Sequence, residues 1–163
     1  MKIITLHQPY ASLVAYGLKS YETRSWATKY RGPLAIHAAK RPFVSADGST
    51  IKNHDYYKAW QQALKVAEVM DLPLAHNLPL GAVVAIANLK SCLVMKPHLS
   101  CHPGIAISSQ TKLERSLGNW EAGNYAWQLS QVQRLATPVS HTGAQGMRNV
   151  APELSDAIAA ALS

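Results

Sequence analysis

Gly17-Leu18-Lys19-Ser20-Tyr21-Glu22-Thr23-Arg24-Ser25-Trp26 is the stretch whose reading decides the fold. It gathers Lys19, Glu22 and Arg24 within six residues of a chain in which only 15% of residues are charged. Apolar residues flank it on both sides, so these charges are expected at the edge of a core rather than on a solvated tail. Upstream, Pro9 suits the first position of a helix, and Tyr10, Leu13, Val14 and Leu18 recur at helical spacing. Gly17 suits the left-handed residue that ends such a helix. Downstream, Tyr21 to Trp26 reads as extended. Alternation then puts Glu22, Arg24 and Trp26 on one face and Tyr21, Thr23 and Ser25 on the other.

On an extended segment Glu22 and Arg24 point the same way, about 6.5–7 Å apart along the strand. Lys19 sits at the helix-to-strand turn, within reach of the same face. An arginine brings a planar donor fork suited to phosphate or a base edge, and a lysine brings a mobile point charge. A glutamate accepts from the amino group of a base, or orients the lysine. The same residues also describe a surface ion-pair cluster of little energetic worth.

Working outward, Lys2 to Leu6 reads as a strand and Arg31-Gly32-Pro33 as a turn. Leu34 to Ala39 reads as a second strand, with Leu34, Ile36 and Ala38 on one side and His37 on the side of the charged motif. Phe43 to His54 reads as a loop, and Asp55 starts a helix with Tyr57, Trp60, Leu64 and Ala67 on one stripe. The apolar run Ala82 to Ala87 is a buried strand whose pairing extends towards Met95, followed by a loop from Lys96 to Gly104. Thr111 to Leu117 is a short helix closed by Gly118. Tyr125, Trp127 and Leu129 alternate in one strand, and Val132 to Val139 forms another. Pro152 opens a terminal helix with Glu153 and Asp156 in its first turn, where they complement the helix dipole. Five or six strands with helices between and around them predict an α+β fold, arranged as a partly closed small barrel with peripheral helices.

The 163 residues are expected to form a single domain, 1–163. A formal net charge of +7 and a pI near 9.5 favour polyanionic partners, of which nucleic acid is the commonest. No apolar run reaches membrane-spanning length, and the start lacks the long apolar region of a secretory signal. Two cysteines, Cys92 and Cys101, make no disulfide framework, so a cytoplasmic location is expected. Cys92, His98, Cys101 and His102 lack a paired-cysteine knuckle, so no metal site is assigned. There is no phosphate-cradling glycine loop or dinucleotide fingerprint, and no cofactor is expected.

The glycine-x-lysine-x-x-glutamate-x-arginine run resembles the signature of the ASCH (activating-signal-cointegrator homology) domain, within the PUA-like superfamily. His7-Gln8-Pro9-Tyr10-Ala11 resembles the family's opening segment. Trp26, Tyr30-Arg31-Gly32-Pro33 and Ile36-His37-Ala38 resemble the segments that follow. Gly123-Asn124-Tyr125-Ala126-Trp127 and Gly143-Ala144-Gln145-Gly146 are similar to late ones. The resemblance implies a PUA-like β-barrel with a cleft lined by the charged motif. It implies binding there of RNA, another nucleic acid or a nucleotide-like small molecule. Hydrolases also occur among similar proteins, including ribonucleases and an amidohydrolase of N4-acetylcytidine. That amidohydrolase has a threonine where this chain has Glu22, so its reaction is not carried over. His7, Tyr10 and Arg148 also depart from the family's usual residues.

The candidate ligand-binding residues are therefore Gln8, Lys19, Glu22, Arg24, Trp26, Arg31, His37 and Lys40. Trp26 is a base-stacking candidate as well as a core candidate. His37 suits either a hydrogen bond inside the barrel or acid–base and phosphate contact. Lys40 reads as a phosphate contact or a solvated strand end, and Arg31 as an anion contact or a turn marker. In an enzyme, Lys19 and Glu22 are the catalytic candidates, polarising and deprotonating a water. A protein-interaction module is the third functional class.

Overall fold

The helix-turn-strand unit at the amino end shows how local chemistry sets up the rest. Helix α1 spans Tyr10–Ala15, with Pro9 just outside it as the N-cap rather than as the first helical residue. It ends in a double-bonded reversal. Gly17 N–H donates to the Val14 carbonyl and Leu18 N–H to the Leu13 carbonyl, both at 2.9 Å. Gly17 holds φ +73°, a conformation glycine adopts without a Cβ penalty. The Lys19 N–H also reaches the Leu13 carbonyl, at 3.1 Å, so the reversal fixes the backbone at Lys19. Strand β2 (Tyr21–Arg24) starts two residues later.

This computed structural model describes residues 1–41, 58, 61–62, 64–65, 68, 78–98 and 103–162. Besides β2, its strands are β1 (Lys2–Leu6), β3 (Gly32–Ala38), β4 (Ala82–Lys96), β5 (Ile105–Ala106), β6 (Tyr125–Ser140) and β7 (Arg148–Asn149). Short helix α2 (Lys112–Ser116) precedes β6, and α3 (Pro152–Leu162) follows β7. Described residues Lys58, Gln61, Gln62, Leu64, Lys65 and Glu68 are helical. The expected stripe partners Tyr57, Trp60 and Ala67, and the expected loop from Phe43 to His54, lie outside the described residues.

The strands form one seven-stranded sheet in the order β2-β6-β4-β3-β1-β7, with β5 beside β4. Pairing is parallel for β1 with β3 and for β4 with β5, and antiparallel elsewhere. The sheet curls into a half barrel whose terminal strands, β2 and β7, do not pair with each other. The architecture is the expected α+β, partly closed barrel.

Each face of the sheet buries its own core. One holds Ile4, Leu6, Leu34, Ile36, Ala38, Leu89 and Trp127, packed on Ala11, Val14 and Ala15 of α1. On the other, Ile3, Ala35, Val83 and Leu135 pack against Leu154 and Ile158 of α3. Alternation along β3 therefore separates two cores, as a strand covered on both faces requires.

Besides Pro9, three expectations change. Gly32 and Pro33, expected in a turn, open β3. Tyr125–Leu129 and Val132–Val139 belong to one strand, β6, of 16 residues. Its partner β4 is also long, at 15 residues, and carries the ladder past the polar segment at Ser130 and Gln131. Gln131 takes φ +49° there, and the register shifts locally, a bulge that bends the pair without ending it. At the carboxyl end, Glu153 lies in the first turn of α3 but Asp156 lies beyond it, because the helix starts at Pro152.

Candidate functional site

A cleft of about 1210 Å³ opens between the two ends of the curled sheet. Its walls come from β1, the Lys19–Trp26 stretch, the end of β3, the segment after α2 and the loop Thr142–Gly146 before β7. The three motif charges meet there. Lys19 Nζ lies 3.7 Å from Glu22 Oε2, and Arg24 Nε lies 3.2 Å from Glu22 Oε1. Alternation along β2 supplies the second contact, and the Gly17 reversal supplies the first.

Lys19 is only 1% exposed. Its ammonium donates to the Leu117 carbonyl at 2.7 Å and stands 5.6 Å from the centre of the Tyr10 ring. A buried ammonium needs such partners to offset lost hydration. Gly118 makes the close approach possible. A Cβ there would fall 2.8 Å from Thr23 Oγ1 and 3.3 Å from Lys19 Nζ. Arg24 is more open, with 27% of its side chain exposed. Its Nη2 donates to the Thr5 carbonyl at 3.4 Å, joining β2 to β1 across the gap that the sheet leaves.

Glu114 of α2 holds the motif from behind, and sequence reading passed over it. Its carboxylate accepts the N–H groups of Ser20 at 3.0 Å and Tyr21 at 3.2 Å. Thr111 caps α2 by accepting the Glu114 N–H at 3.0 Å, the threonine half of a capping box. That spacing, Thr111-x-x-Glu114, was the available signal, but the glutamate reaches across to β2 instead of back to the cap. Burial pushes the Glu114 carboxyl above its ordinary range, against the opposing pull of Lys19 and the two N–H donors.

His37 is fully buried and lies on the cleft side of β3, as the alternation predicts. Its Nε2 lies 2.9 Å from the His141 carbonyl oxygen, an acceptor, so Nε2 carries the proton of the neutral ring. Its Nδ1 is then an acceptor with no partner among the described residues. Burial lowers its pKa, with the His141 carbonyl opposing the shift.

Trp26 and Lys40 also line the cleft. Trp26 is 39% exposed and stands edge-on to the buried Trp127, with ring centres 4.6 Å apart. Lys40 is exposed at the mouth. Two other candidates sit elsewhere. Gln8 is fully buried, donating to Ser12 Oγ and the Pro79 carbonyl and accepting the Ser12 N–H, so it braces the start of α1. Arg31 is turned onto its own loop, donating from Nη1 to the Thr28 and Tyr30 carbonyls. Among the described residues there is no cluster of three or more metal-ligating side chains. No helix there is long and apolar enough to cross a membrane.

A PUA-like half barrel with an ionic cleft at its open side defines the class. The family model described as the ASCH domain matches residues 4–131, and the chain belongs to that family. Activating signal cointegrator 1 from Homo sapiens and from Mus musculus are each 29% identical to it over 109 residues. The match covers 66% of this chain and 17% of each cointegrator. The fold is similar to the crystal structure of a mutant ASCH protein from Zymomonas mobilis. That similarity has a TM-score of 0.50 and 13% identity, covering 98% of this chain and 96% of the other.

Proposed function

We propose that residues 1–163 act as one cytoplasmic ASCH domain that binds single-stranded RNA or a nucleotide-like ligand in the cleft. The observation that carries this reading is the convergence of Lys19, Glu22 and Arg24 in one recess, beside the partly exposed Trp26 ring. Ionic groups give hydrogen-bonding direction, and an aromatic face stacks on any base. The net charge of +7 speeds encounter with a polyanion. Lys19→Ala and Arg24→Ala, assayed by fluorescence anisotropy with single-stranded RNA, should each weaken binding while the far-ultraviolet circular dichroism stays unchanged. Unaltered affinity in both variants removes this cleft from the account.

Hydrolysis by Lys19 and Glu22 has less support. The lysine is engaged by the Leu117 carbonyl, and the glutamate lies between two cations, so both side chains are committed to contacts within the protein. Turnover of RNA or of acylated nucleosides that is lost in Glu22→Gln would restore the hydrolytic reading.

A further inference from the structure

We infer that the segment Thr142–Gly146 is an acid-released wall of the cleft, held down over the neutral ring of His37 and lifted when that ring takes up a second proton. This holds whatever ligand the cleft receives, and so stands apart from the nucleic-acid reading above.

The segment is tied at both ends and rests on His37 between them. At its start, the His141 N–H donates to the Gly81 carbonyl at 3.0 Å, and the His141 carbonyl oxygen lies 2.9 Å from His37 Nε2. At its far end, the Gln145 carbonyl accepts from Arg148 Nε at 3.1 Å, where β7 begins. Between these ties, Gly143 presses on the imidazole. A Cβ there would fall 2.6 Å from His37 Cε1, 2.8 Å from Nδ1 and 3.0 Å from Thr5 Oγ1. Gly143 thus covers the ring edge that carries the unpartnered Nδ1. The segment itself is exposed while His37 is fully buried, so lifting it uncovers little besides the ring.

The contact suits a neutral ring. With the proton on Nε2, the His141 carbonyl is satisfied, and Nδ1 is a bare lone pair that needs no room for hydrogen. A charged ring carries N–H on both nitrogens, and the second would point at Gly143, where Nδ1 has no partner among the described residues. A buried cation with an unsatisfied donor is costly.

The surrounding charges add to that cost. His141, its ring centre 5.9 Å away, and Lys40 beyond β3 both oppose a positive His37. Opposite His37, β1 presents the neutral Thr5 and β4 the apolar Val83. Elsewhere in the cleft, Glu22 is held between Lys19 and Arg24, and His7 and Lys58 also line the walls. No carboxylate among the described residues forms an ion pair with His37. Burial, the largest influence, holds the ring's pKa below its ordinary 6.5, with the His141 carbonyl opposing it. Once Gly143 is lifted, Nδ1 reaches water and the ring binds its second proton more tightly, so acid favours the lifted wall. Release is expected below pH 6.5.

The test is backbone NMR relaxation of the whole chain from about pH 7.5 to about pH 5, with the histidine rings titrated in the same samples. Order parameters of Gly143 and Ala144 should fall from about 0.85 to below about 0.6, with the midpoint of the His37 ring, while β1 and β3 stay rigid. His37→Gln keeps a donor for the His141 carbonyl but takes no proton, and should hold the segment rigid throughout. His141→Gln keeps the backbone carbonyl and should leave the acid release in place. Gly143→Ala drives a Cβ into the ring, so its segment should be mobile even at neutral pH and its His37 ring should titrate nearer 6.5. Far-ultraviolet circular dichroism confirms that each variant is folded. A wild-type segment that stays rigid after the His37 ring is charged overturns the inference. So does acid release that persists in His37→Gln, or a ring that stays neutral until the whole protein unfolds. If His37→Gln does not fold, Gly143→Ala decides. A mobile segment over a ring shifted towards 6.5 supports the inference, and a rigid segment over an unshifted ring overturns it.

Discussion

The carboxylate of Glu114 accepts the N–H groups of Ser20 and Tyr21, so α2 is tied to the first residues of the strand that carries Glu22 and Arg24. Glu114→Gln keeps one acceptor oxygen and leaves one of the two N–H groups without its partner. The expected loss of stability is about 1–3 kcal/mol, the cost of an unsatisfied buried polar group, measured by urea denaturation at neutral pH. Burial raises the Glu114 carboxyl above its ordinary value of 4.5, so the folded state holds this proton more tightly than the unfolded chain. Its favourable contribution is therefore fullest below pH 4.5 and fades as pH rises through the raised folded value. Glu114→Gln should remove that part of the pH dependence.

His37 has the opposite sign. Burial lowers its pKa from the ordinary 6.5, so the unfolded chain takes up a proton that the folded ring refuses. Stability should fall as pH drops from 6.5 towards the lowered folded value, and level off below it. Histidine NMR titration should show the His37 ring titrating below the ordinary 6.5, and urea midpoints should fall over the same window. A His37 ring that titrates at or above the ordinary value contradicts the burial argument.

Gly17→Ala should cost about 1–2 kcal/mol, the penalty for a non-glycine residue in the left-handed region. Nothing lies within 4 Å of a Cβ built at this position, so the loss is conformational rather than steric. Gly17→Asn should cost less, because asparagine tolerates that conformation better. Equal losses in the two variants, from denaturant midpoints, would point to a clash instead.

Trp26→Ala should weaken single-stranded RNA binding by about 1–3 kcal/mol, the range for loss of one stacked base. The ring is 39% exposed, so the effect on folding stability should be much smaller. Trp26→Phe should recover most of the affinity by keeping an aromatic face. Recovery with leucine as complete as with phenylalanine would mean that Trp26 supplies apolar contact and not stacking.

What could be read from the sequence was local. Gly17 marks a positive φ, and two-residue alternation brings Glu22 and Arg24 together and turns His37 towards them. The family resemblance extended that unit to the whole half barrel. Features that depend on distant partners were hidden. Glu114 meets residues more than 90 positions away in sequence, and the Thr111-x-x-Glu114 spacing marks it only as part of a helix cap, not as a partner of Ser20 and Tyr21. The continuity of β6 through Gln131 comes from its pairing with β4, whereas the polar residues at that point look like a break. Gln8 and Arg31 show the converse. Both stand in family-like segments, yet neighbouring backbone carbonyls and Ser12 occupy their side chains.

The sheet stops short of closure, and Arg24 reaches the Thr5 carbonyl over the interval between β2 and β1. One guanidinium thus ties together two strands that the sheet leaves unpaired. An occupant that draws on Arg24 competes with that tie, so taking up a ligand and holding the open side together call on the same side chain.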